Sequence, residues 1–239
     1  MTKPASILIV SSTHLCRNPR AHKEAATLGQ AGYAVTVLTV SNHAPSELLD
    51  REMLAGAPFR RVVIDHLAPS GPGAWRAWSD RATTRLARMA MARLHLDMPA
   101  ALGPARRLLA AARRLPADLT IVHCEAPSWV GLQLLGDGRR VAADFEDWYS
   151  EDLLPVDRRH RPLALLRKVE EGLLHRASYI STTSHAMAAA LHARYGGFVP
   201  AVIRNVFPLP PPPPPRPPDR APIFVWLSQT VGPGRGLET

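Results

Sequence analysis

Three stretches of the chain carry side chains able to handle a polyhydroxylated or phosphorylated ligand. The first is Ser11-Ser12-Thr13-His14-Leu15-Cys16-Arg17-Asn18-Pro19-Arg20. Backbone N–H groups at a helix start, aided by Arg17 or Arg20, can hold an anion there, with His14 and Asn18 as further polar contacts. The second is His123-Cys124-Glu125-Ala126-Pro127. A histidine and a carboxylate at a strand end donate to and accept from sugar hydroxyls, and histidine also moves protons. The third is Asp144-Phe145-Glu146-Asp147-Trp148-Tyr149-Ser150-Glu151-Asp152, in which carboxylates crowd between aromatic rings. Carboxylates such as Asp144, Glu146 and Asp147 suit ring hydroxyls, and an aromatic such as Trp148 suits the apolar face of a sugar. Each stretch also has a plain structural reading: polar capping of a loop, a buried histidine satisfied by backbone, and acids placed at a helix start.

Other chemistries fit less well. The dinucleotide pattern G-x-G-x-x-G is absent, because no glycine occurs between Ser6 and Leu28; this argues against a standard NAD or FAD site after the first strand. His14, Cys16, His123 and Cys124 have zinc-ligand chemistry, but their local spacings match no common zinc pattern, so no metal and no cofactor is expected. Cys16 and Cys124 are the only cysteines, which suits a reducing cytoplasm rather than a disulfide framework. The formal net charge of +9 favours polyanions. Without zinc-finger spacing or an RNA-binding aromatic signature, nucleic acid is not the expected partner, and a phosphate-rich substrate or an anionic lipid surface fits better.

The elements that must position these residues are legible from apolar periodicity. Strands are expected at Ser6–Val10, Ala34–Val40, Arg61–Asp65, Leu119–His123, Val141–Asp144, Tyr179–Thr183 and Ala201–Arg204. Most are continuous apolar runs, as strands covered on both faces should be. Helices are expected from Pro19 to about Ala31, over Leu163–Ala177 and over Ala186–Tyr195, with Asn18 and Ser184 or His185 as N-caps and glycines after the first and last. The alternation predicts an α/β fold, a doubly wound parallel Rossmann-like sheet with helices on both faces. In such a sheet, ligands bind outside the carboxyl ends of the strands, where all three stretches fall.

Leu67–Ala117 breaks the rhythm with arginine-rich helical segments separated at Pro99 and Pro104. Trp75, Trp78, Leu86, Met89 and Leu94 interleaved with Arg76, Arg81, Arg85, Arg88 and Arg93 fit two arrangements equally. One is a basic amphipathic helix lying on anionic lipid; the other is a helix packing its apolar stripe on the sheet. Proline dominates 208–218, predicting an extended linker. After it, Ile223–Leu227 and SQTVGPGRGLE read as a strand and a glycine-rich turn entering a helix. The expected organisation is therefore a Rossmann-like domain over 1–206, a proline-rich linker over 207–221, and the start of a second Rossmann-like domain over 222–239.

Taken in order, ILIVSSTHLCRNPRAHKEAATLGQAGYAVTVLTV, DLTIVHCEAP, VAADFEDWYSEDLLP, EEGLLHRASYISTTSHAMAAALHARYGG, VIRNVFP and FVWLSQTVGPGRGLE resemble the amino-terminal, acceptor-side domain of GT-B glycosyltransferases of the family 4 type. The resemblance rests on the order and spacing of these segments rather than on one motif. It implies an enzyme of two Rossmann-like domains that moves a sugar from a nucleotide-diphosphate sugar to a glycan or lipid-linked acceptor, with retention and without an essential metal. His123, Glu125 and Glu146 would then be the catalytic candidates. His14, Arg17, Asn18, Arg20, Asp144, Asp147 and Trp148 would contact substrate, and Gly234 and Arg235 would meet the donor diphosphate. Three departures stand out. SSTHLCRN replaces a frequent glycine pair, Glu146-Asp147 stands where relatives often carry His-Asp, and Glu125 replaces a second histidine. The paired glutamates of the donor domain would lie beyond Thr239, so this portion alone is expected to be inactive. The enzyme is expected in the cytoplasm, with peripheral contact at the inner membrane surface through the arginine-rich helix. Two alternatives share the pattern: a sugar-nucleotide epimerase of the same architecture and a non-catalytic saccharide-binding module.

Overall fold

The computed structural model describes residues 4–212, apart from 69, 155–157 and 159–160, together with Val225. The chain divides into two compact units, Met1–Arg204 and Asn205–Thr239. In the second, 205–212 is without helix or strand, and the predicted strand and glycine turn, with Gly234 and Arg235, lie outside the described residues.

All seven predicted strands form in the first unit: β1 (Ser6–Ser11), β2 (Ala34–Ser41), β3 (Arg60–Asp65), β4 (Leu119–His123), β5 (Val141–Phe145), β6 (Tyr179–Thr182) and β7 (Ala201–Val202). They make one sheet in the order β3-β2-β1-β4-β5-β6-β7, every pair parallel. The order reverses between β1 and β4, which opens a crevice at their carboxyl ends. Side chains of β1 alternate faces. Ile7 and Ile9 join Val35, Val37, Ala21 and Ala25 on one side, and Leu8 and Val10 join Leu108, Val130 and Leu134 on the other. This two-residue period, buried on both faces, gives the sheet its continuous apolar runs.

Seven helices are described in that unit: α1 (Pro19–Gln30), α2 (Ala44–Met53), α3 (Gly71–Leu94), α4 (Ala105–Arg113), α5 (Glu125–Gly136), α6 (Leu163–Arg176) and α7 (His185–Tyr195). Asn18 caps α1 by accepting from the Ala21 N–H at 3.0 Å, with Pro19 in the first turn. Ser184 caps α7 in the same way through the Met187 N–H. α2 and α5 were not expected. α2 is capped by the ring of His43, which accepts from the Ser46 N–H, a residue type outside the usual capping set. α5 is buried almost all round, from Ala126 through Gly131 to Leu134, so it shows no amphipathic period.

α3 packs Ala87 and Met91 onto Ala101, in the 3-10 turn Pro99–Leu102, and ties Asp80 and Arg81 to His66 just after β3. Its large apolar side chains stay outside: Trp75 is 67% and Leu86 64% exposed. Trp75 and Trp78 stack on each other with ring centroids 4.9 Å apart.

Gly29 near the end of α1 marks the tightest packing of helix on loop. A Cβ there would lie 2.2 Å from the Pro58 carbonyl oxygen. Alanine favours helix by about 1 kcal/mol over glycine, but a backbone clash of this kind costs more, because neither helix nor loop can yield without moving the sheet. Gly29→Ala should therefore destabilise the fold, by about 1–2 kcal/mol net, read as a lower urea midpoint with unchanged slope; a higher midpoint would contradict the packing described.

Candidate functional site

Parallel register brings the polar strand ends together. Ser11 lies beside His123, His123 beside Asp144, and Asp144 beside Ser181, a row across β1, β4, β5 and β6 at the carboxyl edge. α1 begins directly over this row and contributes Asn18, Arg20 and Glu24. Where β4 turns into α5, Cys124 adopts φ 70° and ψ 174°, a left-handed backbone at the reversal point of the sheet. Such strain in a non-glycine residue persists only where surrounding contacts enforce it.

His123 is the centre of the cluster and is 1% exposed. Its Nε2 lies 2.6 Å from Glu24 Oε2 and its Nδ1 2.9 Å from Glu146 Oε1, with Asp144 Oδ2 3.4 Å from Nδ1. Carboxylates only accept, so both ring nitrogens must donate, and the ring is an imidazolium. Burial alone would lower its pKa; hydrogen bonds to Glu146 and Glu24 and the charges of Glu24 and Asp144 outweigh that and push it up to about 10. His123 is therefore a fixed cation at neutral pH rather than a general base.

Asp144, also buried, is held by a second cation. Arg20 grips it in a two-point fork, Nε to Oδ2 at 2.7 Å and Nη2 to Oδ1 at 2.5 Å, and Ser181 donates to Oδ1 at 2.6 Å. Burial pushes the Asp144 carboxyl upward, but Arg20, His123 and Ser181 together hold it below the usual carboxylate range. Arg20 reaches further to the Ile203 carbonyl after β7, so one side chain ties α1 to the far side of the sheet.

Glu146 faces outward from this frame. Its Oε1 accepts from His123 and, at 2.7 Å, from Asn18 Nδ2. Its Oε2 has no side-chain partner among the described residues, and the group is 19% exposed. Among the described residues the site thus offers one anchored carboxylate whose second oxygen has no side-chain partner. Beside it, the Cys124 thiol is pushed up to about 12 by burial and by Glu146, so it stays protonated. The ligand atoms of His123, Asp144 and Glu146 lie within 4.8 Å of one another, a spacing compatible with a metal ion. A cation there would have to displace the His123 proton and compete with Arg20 and Asn18, so the donor set fits a proton better than a divalent ion.

Other expected site residues are placed elsewhere. His14 is buried and both its nitrogens are in use: Nε2 accepts from the N–H groups of Asn42 and His43, so Nδ1 donates to Asp50 at 3.1 Å. Asp50 also accepts from the Leu15 and Cys16 N–H groups and pairs with Arg61. His14 is thus an anchor between two loops and leaves no atom to a substrate. Arg17 bonds the His43 ring on the surface. Glu125, in the first turn of α5, pairs with Arg161 and lines a separate recess with Arg88 and Met91. Asp147 is exposed. Trp148 is partly buried against the core and meets Tyr195 edge-on at 6.4 Å, so its ring is committed to packing. Cys16 bonds the Ser46 carbonyl, and Cys124 accepts from Asn18. The four candidate zinc ligands therefore fall into two separate networks. Glu24 and Ser181 belong to the site and were not expected. The only trace of Glu24 is its i+4 spacing from Arg20 on the helix that the cap predicts.

No family model matches the sequence, and no curated protein does. Solved structures show the fold. LpCGTa in complex with UDP is 14% identical, with a TM-score of 0.50 over 84% of this chain and 52% of that one. Arabidopsis thaliana UGT89C1 complexed with UDP-L-rhamnose is 13% identical, with a TM-score of 0.48 over 87% and 54%. Anabaena Alr3699/HepE in complex with UDP and glucose is 15% identical, with a TM-score of 0.49 over 85% and 45%. The chain spans about half the length of these structures.

The two cations predict distinct losses. Arg20→Met leaves Asp144 buried without its fork and should destabilise the fold by about 3–5 kcal/mol, measured by chemical denaturation; a loss near zero would show that the pair is not formed. For His123 the folded pKa lies above the ordinary 6.5, so the stability it contributes is complete below that value and disappears as pH rises through about 10. The stability gap between wild type and His123→Gln should therefore narrow steadily from pH 6.5 toward about 10. A gap that stays constant or widens would mean that the ring is neutral.

Proposed function

We propose that this chain carries the acceptor-side domain of a retaining glycosyltransferase of the GT-B plan. It would use a nucleotide-diphosphate sugar and act on a glycan or lipid-linked acceptor. Its proposed organisation is a Rossmann-like domain over 1–206, a linker over 207–221 and a donor-binding domain starting at 222. The observation that carries this reading is Glu146, pinned through one oxygen by His123 and Asn18, with no side-chain partner for the other among the described residues, at the crevice where the strand order reverses. The fold shared with a UDP-bound protein supports it.

In this reading Glu146 Oε2 accepts the hydrogen bond of the acceptor hydroxyl and orients it. The hydroxyl oxygen bonds to the anomeric carbon as the bond to the diphosphate breaks, the hydroxyl proton passes to Glu146 Oε2, and the diphosphate leaves with the bonding electron pair. His123 moves no proton. It holds Glu146 in place and sets a positive charge beside the reaction, where negative charge develops on the leaving group. Arg20 and Asp144 position that pair, and Asp147 and Arg17 are available to further hydroxyls at the rim. Gly234 and Arg235 are assigned to the donor diphosphate.

Peripheral membrane contact belongs to the same proposal. No described helix is long and apolar enough to cross a membrane. The stacked Trp75–Trp78 pair, with Arg76 and Arg81 on the same exposed helix, supplies interfacial aromatics beside basic groups.

Glu146→Gln keeps both hydrogen bonds accepted by Oε1, but it removes the charge and replaces the outward acceptor oxygen with an NH2 donor. With the natural full-length product and a panel of nucleotide sugars, it should lower transfer by roughly 100-fold or more while moving the melting temperature little. Undiminished transfer with an unchanged melting temperature would refute the role of Glu146. Cosedimentation with phosphatidylglycerol vesicles should be strong at low salt, weak at high salt, and reduced by Trp75→Ala with Trp78→Ala. Equal binding to neutral phosphatidylcholine vesicles would refute the charge component.

A further inference from the structure

A cavity of about 560 Å³ lies at the carboxyl ends of β2 and β3, under α3, and none of the residues discussed for sugar transfer lines it. Asn42 and His66, the residues that follow those two strands, form its floor, and the Gly103-Pro104 turn closes one side. Arg81, Arg85 and Arg88 of α3 project along its wall, at the i, i+4, i+7 spacing that puts them on one helix face.

Among the described residues the charge of this cavity is uncompensated. Its one carboxylate, Asp80, is already neutralised, because Arg107 forks it from α4 and His66 Nε2 lies 2.9 Å away. Arg81 uses one N–H on the His66 carbonyl and Arg88 one on the Ala101 carbonyl, which orients both guanidinium groups and leaves their other donors open. No described acidic side chain pairs with Arg81, Arg85 or Arg88 within ion-pair distance. Thr84 adds a hydroxyl, while Met89, Ala92 and Pro104 make the remaining wall apolar.

Three arginines of one helix lining a concave site with an apolar flank fit a doubly charged oxyanion joined to a hydrocarbon. We propose that this cavity binds a phosphate or diphosphate group whose apolar substituent lies along Met89 and Pro104. The site stands on its own geometry. Its assignment to the acceptor of the transfer reaction rests on the function proposed above. His66 follows β3, three strands from His123 on β4, which at the usual strand spacing puts the anion roughly 14 Å from the His123 row. The anion and the reacting hydroxyl would therefore belong to different parts of one ligand.

Calorimetric titration with inorganic pyrophosphate and with a short-chain prenyl diphosphate tests the site without requiring catalysis. Both should bind. The prenyl compound should bind more tightly if the substituent is lipid; equal affinities would assign the site to a free phosphorylated ligand and remove the apolar contact from the proposal. Arg85→Gln and Arg88→Gln should each weaken binding by roughly tenfold, and the double variant should abolish it. Arg76→Gln, an equal loss of charge on the same helix away from the cavity, should leave binding unchanged, as should Glu146→Gln. Among the described residues Arg85 makes no hydrogen bond or ion pair, so Arg85→Gln should leave the circular dichroism melting curve unchanged. Absence of binding by either probe, an unchanged affinity in the double variant, or an equal loss in Arg76→Gln would overturn the proposal. Loss of transfer in Glu146→Gln with intact pyrophosphate binding would leave both readings standing, and intact binding without any transfer activity would remove only the enzymatic one.

Discussion

The site is organised by a buried positive charge that cannot leave. His123 sits at the end of β4 with a carboxylate on each ring nitrogen, so deprotonating it would turn one nitrogen's lone pair against its carboxylate. Desolvation opposes an imidazolium in the core, and here three acidic groups prevail over it. Because the ring is fixed, Glu146 is fixed as well, and so is the direction of its second oxygen. The Arg20–Asp144 fork repeats the arrangement one strand along and extends it to β7 through Ile203. Two cations and three carboxylates thus form a rigid frame carrying one excess negative charge.

Such a frame trades stability for placement. Buried ion pairs recover little net energy once desolvation is counted, and apolar replacements of similar volume are often equally stable. What they fix is geometry, since each partner must lie within hydrogen-bonding distance of its neighbour. The parallel sheet makes this possible at little cost. Register alone aligns Ser11, His123, Asp144 and Ser181, and the first turns of α1 close the row from above. The left-handed backbone at Cys124 belongs to the same frame, because it lies at the turn from β4 into α5, next to His123.

How much of this could be read from sequence depended on the kind of signal. Continuous apolar runs located every strand, and the Asn18-Pro19 and Ser184 caps located two helices, because those patterns are local consequences of burial and of unsatisfied N–H groups. α5 was hidden by its own burial, which erases amphipathic periodicity, and α2 by a histidine cap. Position in the sheet pointed to His123, Asp144 and Glu146, which the fold brings together at the carboxyl edge. Partnership did not follow from position. Glu24 lies about a hundred positions from His123 and looks like an ordinary exposed helical acid, and the engagement of His14 by Asp50 depends on a helix that sequence did not reveal. Whether a polar side chain faces a ligand or another side chain is a pairing property, and pairing across long sequence separations leaves no periodicity.

The placement of β1 at the middle of the sheet also has a consequence for biosynthesis. β1 and β2 emerge from the ribosome together, but the partner on the other side of β1 is β4, which follows the whole of α3 and α4. At roughly 5–20 residues per second, the edge carrying Ile7, Leu8, Ile9 and Val10 stays unpaired for on the order of seconds. During that interval the nascent protein presents a long apolar strand edge, the surface that chaperones recognise and that neighbouring nascent chains can join. The arginine-rich insertion that builds the second cavity therefore also lengthens the period in which an unfinished copy can aggregate.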